Sequence, residues 1–147
     1  MKTICNKLTK LMIFCALSAI PLCAQIPYGL NFTTSFPFYV GDKYMAAGSY
    51  KVTESLFGSS VLLVQGADRK YSAFIGYIPT EMFMPAKQGE ATFRKYGNDT
   101  FLGSFTVTSE TAGMDFLPGK REAQTALAQH EQASNNVVPL EAANAGN

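Results

Sequence analysis

Ala91-Thr92-Phe93-Arg94-Lys95-Tyr96-Gly97-Asn98-Asp99-Thr100-Phe101-Leu102-Gly103-Ser104-Phe105-Thr106-Val107-Thr108 is the stretch that decides the fold class. Two runs rich in aromatic and β-branched residues flank Gly97-Asn98-Asp99-Thr100, a cluster of turn formers, and that arrangement predicts a hairpin. Strict alternation on the second arm puts Phe101, Gly103, Phe105 and Val107 on one face, with Ser104, Thr106 and Thr108 opposite.

Outward from this hairpin the same period recurs. Residues 70–78 place Tyr71, Ala73, Ile75 and Tyr77 on one face and Ser72, Phe74, Gly76 and Ile78 on the other. Both faces are largely apolar, which predicts a central strand. Residues 50–54 alternate, and Val61-Leu62-Leu63-Val64 is a short continuous run of the kind found in strands buried on both faces. Gly41-Asp42, Ala47-Gly48, Gly58-Ser59, Gly66-Ala67-Asp68 and Lys87-Gln88-Gly89 punctuate these runs. Short strands at such spacing predict an all-β fold, a single antiparallel β-sandwich or small barrel. Residues 120–132 lack Gly and Pro and are rich in Ala, Gln, Glu and Leu, so a short C-terminal helix is expected there. Residues 134–147, rich in Asn, Ala and Gly, read as a disordered tail.

The opening residues carry an address. Lys2, Lys7 and Lys10 precede an uncharged run from Leu11 to Cys23, and Ala24 offers a small residue at the cut. This pattern predicts a secretory signal peptide over residues 1–24, since spanning a bilayer takes about 20 apolar residues. A lipoprotein retaining Cys23 is the alternative, disfavoured because Leu22 stands where a small residue is wanted. Cys5, Cys15 and Cys23 all lie in the segment, so the exported domain from residue 25 would hold neither disulfide nor thiol nucleophile.

Removing the three signal lysines leaves 9 basic against 11 acidic residues, a net charge of −2. That balance, with basic residues clustered only in pairs, is not the footprint of a nucleic-acid binder, and no later run predicts an integral membrane anchor. Catalytic patterns are thin. His130 is the single histidine, so a zinc site or a Ser-His-Asp triad has little to draw on, and no Gly-x-Ser-x-Gly accompanies it. Asp42, Asp68 and Asp99 sit beside turn formers, where turn building explains them better than a hydrolytic carboxylate pair. Residues 113–120 are spaced wrongly for a phosphate loop, and Asn31-Phe32-Thr33 and Asn98-Asp99-Thr100 match the N-glycosylation triplet. No catalytic residue, metal or cofactor is expected.

Two apolar features speak for binding. Met82, Phe83 and Met84 lie between a strand and a glycine turn, where flexible methionines suit an adaptable ligand or partner surface; the competing reading makes this loop part of the core. Ten phenylalanines and seven tyrosines remain after residue 24, suited either to recognition or to half-buried strands. Residues 25–38, carrying Phe32, Phe36 and Phe38, are either the first strand of the sheet or an arm that adds to a neighbour.

The run from Ser35 to Lys43, Ser-Phe-Pro-Phe-Tyr-Val-Gly-Asp-Lys, with Met45-Ala46-Ala47-Gly48-Ser49-Tyr50-Lys51-Val52, resembles the opening of a functionally uncharacterised family of small exported β-rich proteins from soil bacteria. Ala46 stands where proline is common, while Phe93 to Gly97 with Phe101-Leu102, and Leu117-Pro118 to Glu122, resemble the family's later hairpin and its lead into a terminal helix. The resemblance implies bacterial origin and export and names no catalytic residue. The expectation is an exported, secreted or periplasmic, non-catalytic module binding an unknown protein or small ligand. The alternatives are a structural subunit assembled by strand addition, with self-association, and a carboxylate-dependent hydrolase.

Overall fold

The computed structural model describes residues 29–55, 60–82, 84–108, 111–129 and 133–142. The expected signal segment, Phe83, His130 and the final residues of the expected tail lie outside the described residues. Among the described residues eleven strands are present: β1 (Leu30–Thr34), β2 (Phe38–Val40), β3 (Lys43–Met45), β4 (Gly48–Glu54), β5 (Val61–Gly66), β6 (Ser72–Glu81), β7 (Glu90–Tyr96), β8 (Asp99–Thr106), β9 (Ala112–Phe116), β10 (Ser134–Pro139) and β11 (Glu141–Ala142). A helix, α1 (Lys120–Gln129), falls between β9 and β10. The fold is all-β in class.

The strands pair in the order β10-β7-β8-β9-β6-β5-β4-β1-β11, with β2 attached to β3 and β8. The expected purely antiparallel arrangement is corrected: β2 runs parallel to β8 through Tyr39 and Phe101, and Ala86 bridges Thr108 in parallel. The cause is the short reach of β9, which pairs with β8 only from Ser104 to Thr106 and leaves the earlier part of that edge to β2. β6 is the pivot. Its first half, Ser72 to Gly76, pairs with β5, and its second half, Tyr77 to Glu81, pairs with β9. It is central in the pairing order, as expected, yet Phe74 (60% exposed) and Ile78 (49%) leave its second face in solvent. β5 likewise buries one face only, Leu62, Val64 and Gly66, and its other face is half-buried.

The expected disordered tail is also corrected. Residues 134–139 form β10 against β7, and Glu141–Ala142 forms β11 against β1 at the opposite end of the order. Leu140 alone separates the two, so one segment straps both ends of the sheet, and its N–H donates to the Gly89 carbonyl at 2.8 Å. Val138 and Leu140 are buried, and that burial outweighs the poor strand propensity of Ser134-Asn135-Asn136. Pro139 ends β10 on a strand paired on one side only, where a missing donor is tolerated. The expected C-terminal helix is therefore not terminal.

Aromatic rings fill the interior. Phe32 of β1 has ring neighbours in Tyr50 (5.5 Å), Phe105 (5.8 Å), Phe38 (5.9 Å) and Phe93 (6.0 Å), so one ring touches both strand groups. A bulge in β8 makes this convergence possible. Thr92 pairs with Ser104 but Phe93 pairs with Leu102, leaving Gly103 as the extra residue. Leu102 and Phe105, three apart, both point inward, whereas Phe101 is displaced to the outer face and lies outside the main core cluster. The face shared by Phe101 and Phe105 under strict alternation is overturned by this one residue. Tight turns complete the hairpins: Gly41 (φ 59°) joins β2 to β3 and Gly97 (φ 56°) joins β7 to β8, both in the left-handed region glycine favours.

Ending the chain at Ala133 is expected to cost at least about 3 kcal/mol in urea unfolding, from the lost burial of Val138 and Leu140 and the two lost ladders. Unchanged stability would show that the strap contributes nothing. Tyr50 supplies a pH test. Burial first, then the negative charge of Asp68, pushes its hydroxyl up to about 12, and the hydroxyl donates to the Ala46 carbonyl. A native value above the unfolded value of about 10 means stability is intact below pH 10 and falls as pH rises towards 12. Urea unfolding followed at pH 9 to 12 should show this decline, and Tyr50→Phe should lessen it, leaving the part due to Tyr77 and Tyr96, whose hydroxyls burial also raises.

Candidate functional site

Cross-strand register builds an open floor on the outer face. Val137 (β10), Thr92 (β7), Ser104 (β8), Asp115 (β9) and Ile78 (β6) are successive partners across five strands. One step along, Asn135 is the partner of Arg94, and on the other side Thr80 is the partner of Gly113. Side chains two residues apart on a strand share a face, so Thr92 with Arg94, and Ile78 with Thr80, continue one surface. Apart from Val137 and Gly113, which lie beside it in the register, these residues line, with Phe116 and Leu117, a groove of about 370 Å³. Its floor carries three hydroxyls, an amide, a carboxylate and a guanidinium. Val137 (54% exposed), Ile78 and Leu117 (64%) add aliphatic surface at the sides.

Two glycines keep the floor low. A Cβ on Gly103 would lie 3.0 Å from the Thr92 carbonyl oxygen and 3.2 Å from Arg94 Cγ, so the bulge that re-aims Phe105 also lets the arginine stem lie across β8. A Cβ on Gly113 would lie 2.8 Å from Thr80 Oγ1.

Arg94 marks the boundary between the groove and the part of the face that α1 covers. Its Nε donates to Glu122 Oε1 at 2.6 Å, and its Nη2 donates to Glu122 Oε2 and to the Phe116 carbonyl, both at 3.1 Å. The paired, near-parallel geometry is the strong form of an arginine–carboxylate contact. Tyr96 adds a long O–H contact of 3.4 Å to Glu122 Oε1. Burial, then the Glu122 charge, raises the Tyr96 hydroxyl above its ordinary value while Arg94 opposes this, so it stays a neutral donor. Under α1, Tyr39 stacks on Phe101 (5.3 Å) and Tyr96 meets Phe101 edge-on (6.0 Å). Since Glu122 neutralises Arg94, the floor carries the single net charge of Asp115.

No family model, curated protein or solved structure matches this chain.

Met84 is 77% exposed in the connection leaving β6, beyond the Thr80 end of the groove. Met82 is half-buried, and its N–H donates to the Thr111 carbonyl at 2.6 Å. Phe83 between them lies outside the described residues. Residues 30–34 form β1 of the chain's own sheet, with Phe32 and Phe38 buried. Among the described residues no group of three or more His, Cys, Asp or Glu is placed to hold a metal ion, and no helix is long and apolar enough to cross a membrane. Residue patterns alone missed Thr92, Arg94, Ser104, Asp115 and Asn135, which converge only through strand pairing. The available signal was Gly103, an isolated glycine within a strand pattern, which marks bulges and close approaches.

Proposed function

We propose that this protein is an exported, non-catalytic binding module that holds a polar ligand in the outer-face groove. The observation that carries the reading is the register-aligned row Thr92–Ser104–Asp115, with Arg94 and Asn135 beside it and Val137, Ile78 and Leu117 at the sides. Pockets with a few convergent polar groups beside apolar surface are the usual form of a ligand site. Met82 and Met84 extend this surface at the β6 end, where Met84 already stands in solvent. The signal-like residues 1–24 and the resemblance to small exported bacterial β-proteins support a secreted or periplasmic destination. The finer fold reading is a β-sandwich or small barrel: the strands follow an open path from β10 to β11, and β6 and the segment from β10 to β11 each pass between the two strand groups.

A second reading, assembly by strand addition, is favoured by three strands: among the described residues β3 pairs only with β2, β10 only with β7 and β11 only with β1. Such singly paired strands offer backbone groups to a neighbour.

The test is an array of glycans and peptides probed with the protein starting at Gln25, beside Ser104→Arg, which fills the groove from its floor. Folding stability of that variant should change by no more than about 0.5 kcal/mol, as for surface substitutions generally. Ligands held by the parent should be lost by Ser104→Arg and weakened by Phe83→Ala and Met84→Ser. Ligands retained by Ser104→Arg would contradict the groove. Concentration-dependent polymers in light scattering, with no array ligand, would favour strand addition instead.

A further inference from the structure

α1 is seated in an unusual way. Helices on sheet surfaces are normally held by an apolar stripe, but the only buried residue of α1 is Glu122, and Leu127 is 76% exposed. The helix is held by polar contacts at separate points. Glu122 meets Arg94; the Arg121 N–H donates to Asp42 Oδ1 at 2.9 Å; and the Arg121 guanidinium lies 4.1 Å from the Tyr39 ring centroid. Asp42 belongs to the β2–β3 turn, so the first turn of α1 is capped by a residue 79 positions away.

The seat is built without the helix. Arg94 is held from the sheet side by the Phe116 carbonyl and by the low floor at Gly103. Tyr39 and Phe101 are aligned by the β2–β8 pair, and Tyr96 follows from β7. Removing α1 would therefore leave an ordered ledge of three aromatic rings next to a guanidinium whose carboxylate had gone. The Arg94 side chain, 24% exposed with α1 in place and more so without it, would then present a paired N–H donor edge to any carboxylate that reaches it. Glu122 shows the form that contact takes, a carboxylate accepting two parallel N–H bonds with a tyrosine hydroxyl alongside.

We infer that α1 is a detachable latch: it leaves the outer face without unfolding the core, and the side chain of Glu122 occupies a site that then accepts the carboxylate of an external ligand at Arg94. The site adjoins the groove but does not depend on the groove's being used. Exposed rings beside it suit a ligand that carries apolar or planar substance next to its carboxylate.

Hydrogen exchange read by mass spectrometry on the protein starting at Gln25 tests the first half. Amides of α1 should exchange at least tenfold faster than those of β7 and β8, and both Glu122→Gln and Asp42→Ala should widen that gap without changing β7 and β8. Exchange of α1 and β7–β8 as one unit would overturn the latch. Asp42→Ala removes only the cap and decides the matter if the charge change is too severe. For the second half, Glu122→Ala is titrated with acetate while the Arg94 Nε–H resonance is followed. A saturable shift absent with equal chloride is expected; equal responses to both salts would overturn the carboxylate site.

Discussion

The Phe32 ring is the contact on which the rest of the structure depends. It comes from β1, at one end of the pairing order, and meets Phe93 and Phe105 from β7 and β8, near the other end. Backbone pairing connects these groups through β6 and through the segment from β10 to β11, and side-chain packing fills the space between them. Aromatic rings suit that task because each buries a large area and tolerates tilted or edge-on neighbours, the geometries found around Phe32. The strap from β10 to β11 adds to this packing, with Val138 and Leu140 completing the core.

With the interior so filled, chemistry is left to the outer face, and that face is divided. One end is open, floored by hydroxyl, amide and carboxylate groups. The other lies under α1, where Tyr39, Tyr96 and Phe101 are covered by a helix that buries a single carboxylate. Arg94 belongs to both parts. Its stem crosses the Gly103 bulge, and its head joins Glu122 to the sheet. The one glycine thus sets the inward aim of Phe105 and the outward aim of the guanidinium, linking core packing to the surface on which function is proposed.

Much of this was legible from residue patterns, and the failures have physical causes. The inward set Ala73, Ile75 and Tyr77 of β6, the β7–β8 hairpin and the helix from Lys120 followed from period and propensity. Alternation misassigned Phe101 because a bulge shifts the period by one residue, a change that only pairing with Thr92 and Phe93 reveals. Residues 134–142 read as a tail because Ser134-Asn135-Asn136 and Pro139 are poor strand formers. Tertiary burial of two aliphatic side chains overrides that local weakness, and local pattern does not contain it. The groove was illegible for a related reason: its residues come from five strands, each contributing one or two ordinary outward-facing positions.

The central claim, that Phe32 joins the two strand groups, is tested most directly by urea unfolding of Phe32→Ala. The account predicts a loss of about 3–5 kcal/mol, the range for truncating a fully packed phenylalanine, with near-ultraviolet circular dichroism weakened as neighbouring rings lose their fixed packing. A loss below about 1 kcal/mol with an unchanged aromatic spectrum would contradict it, and would mean that the strand groups are held together by something other than this ring.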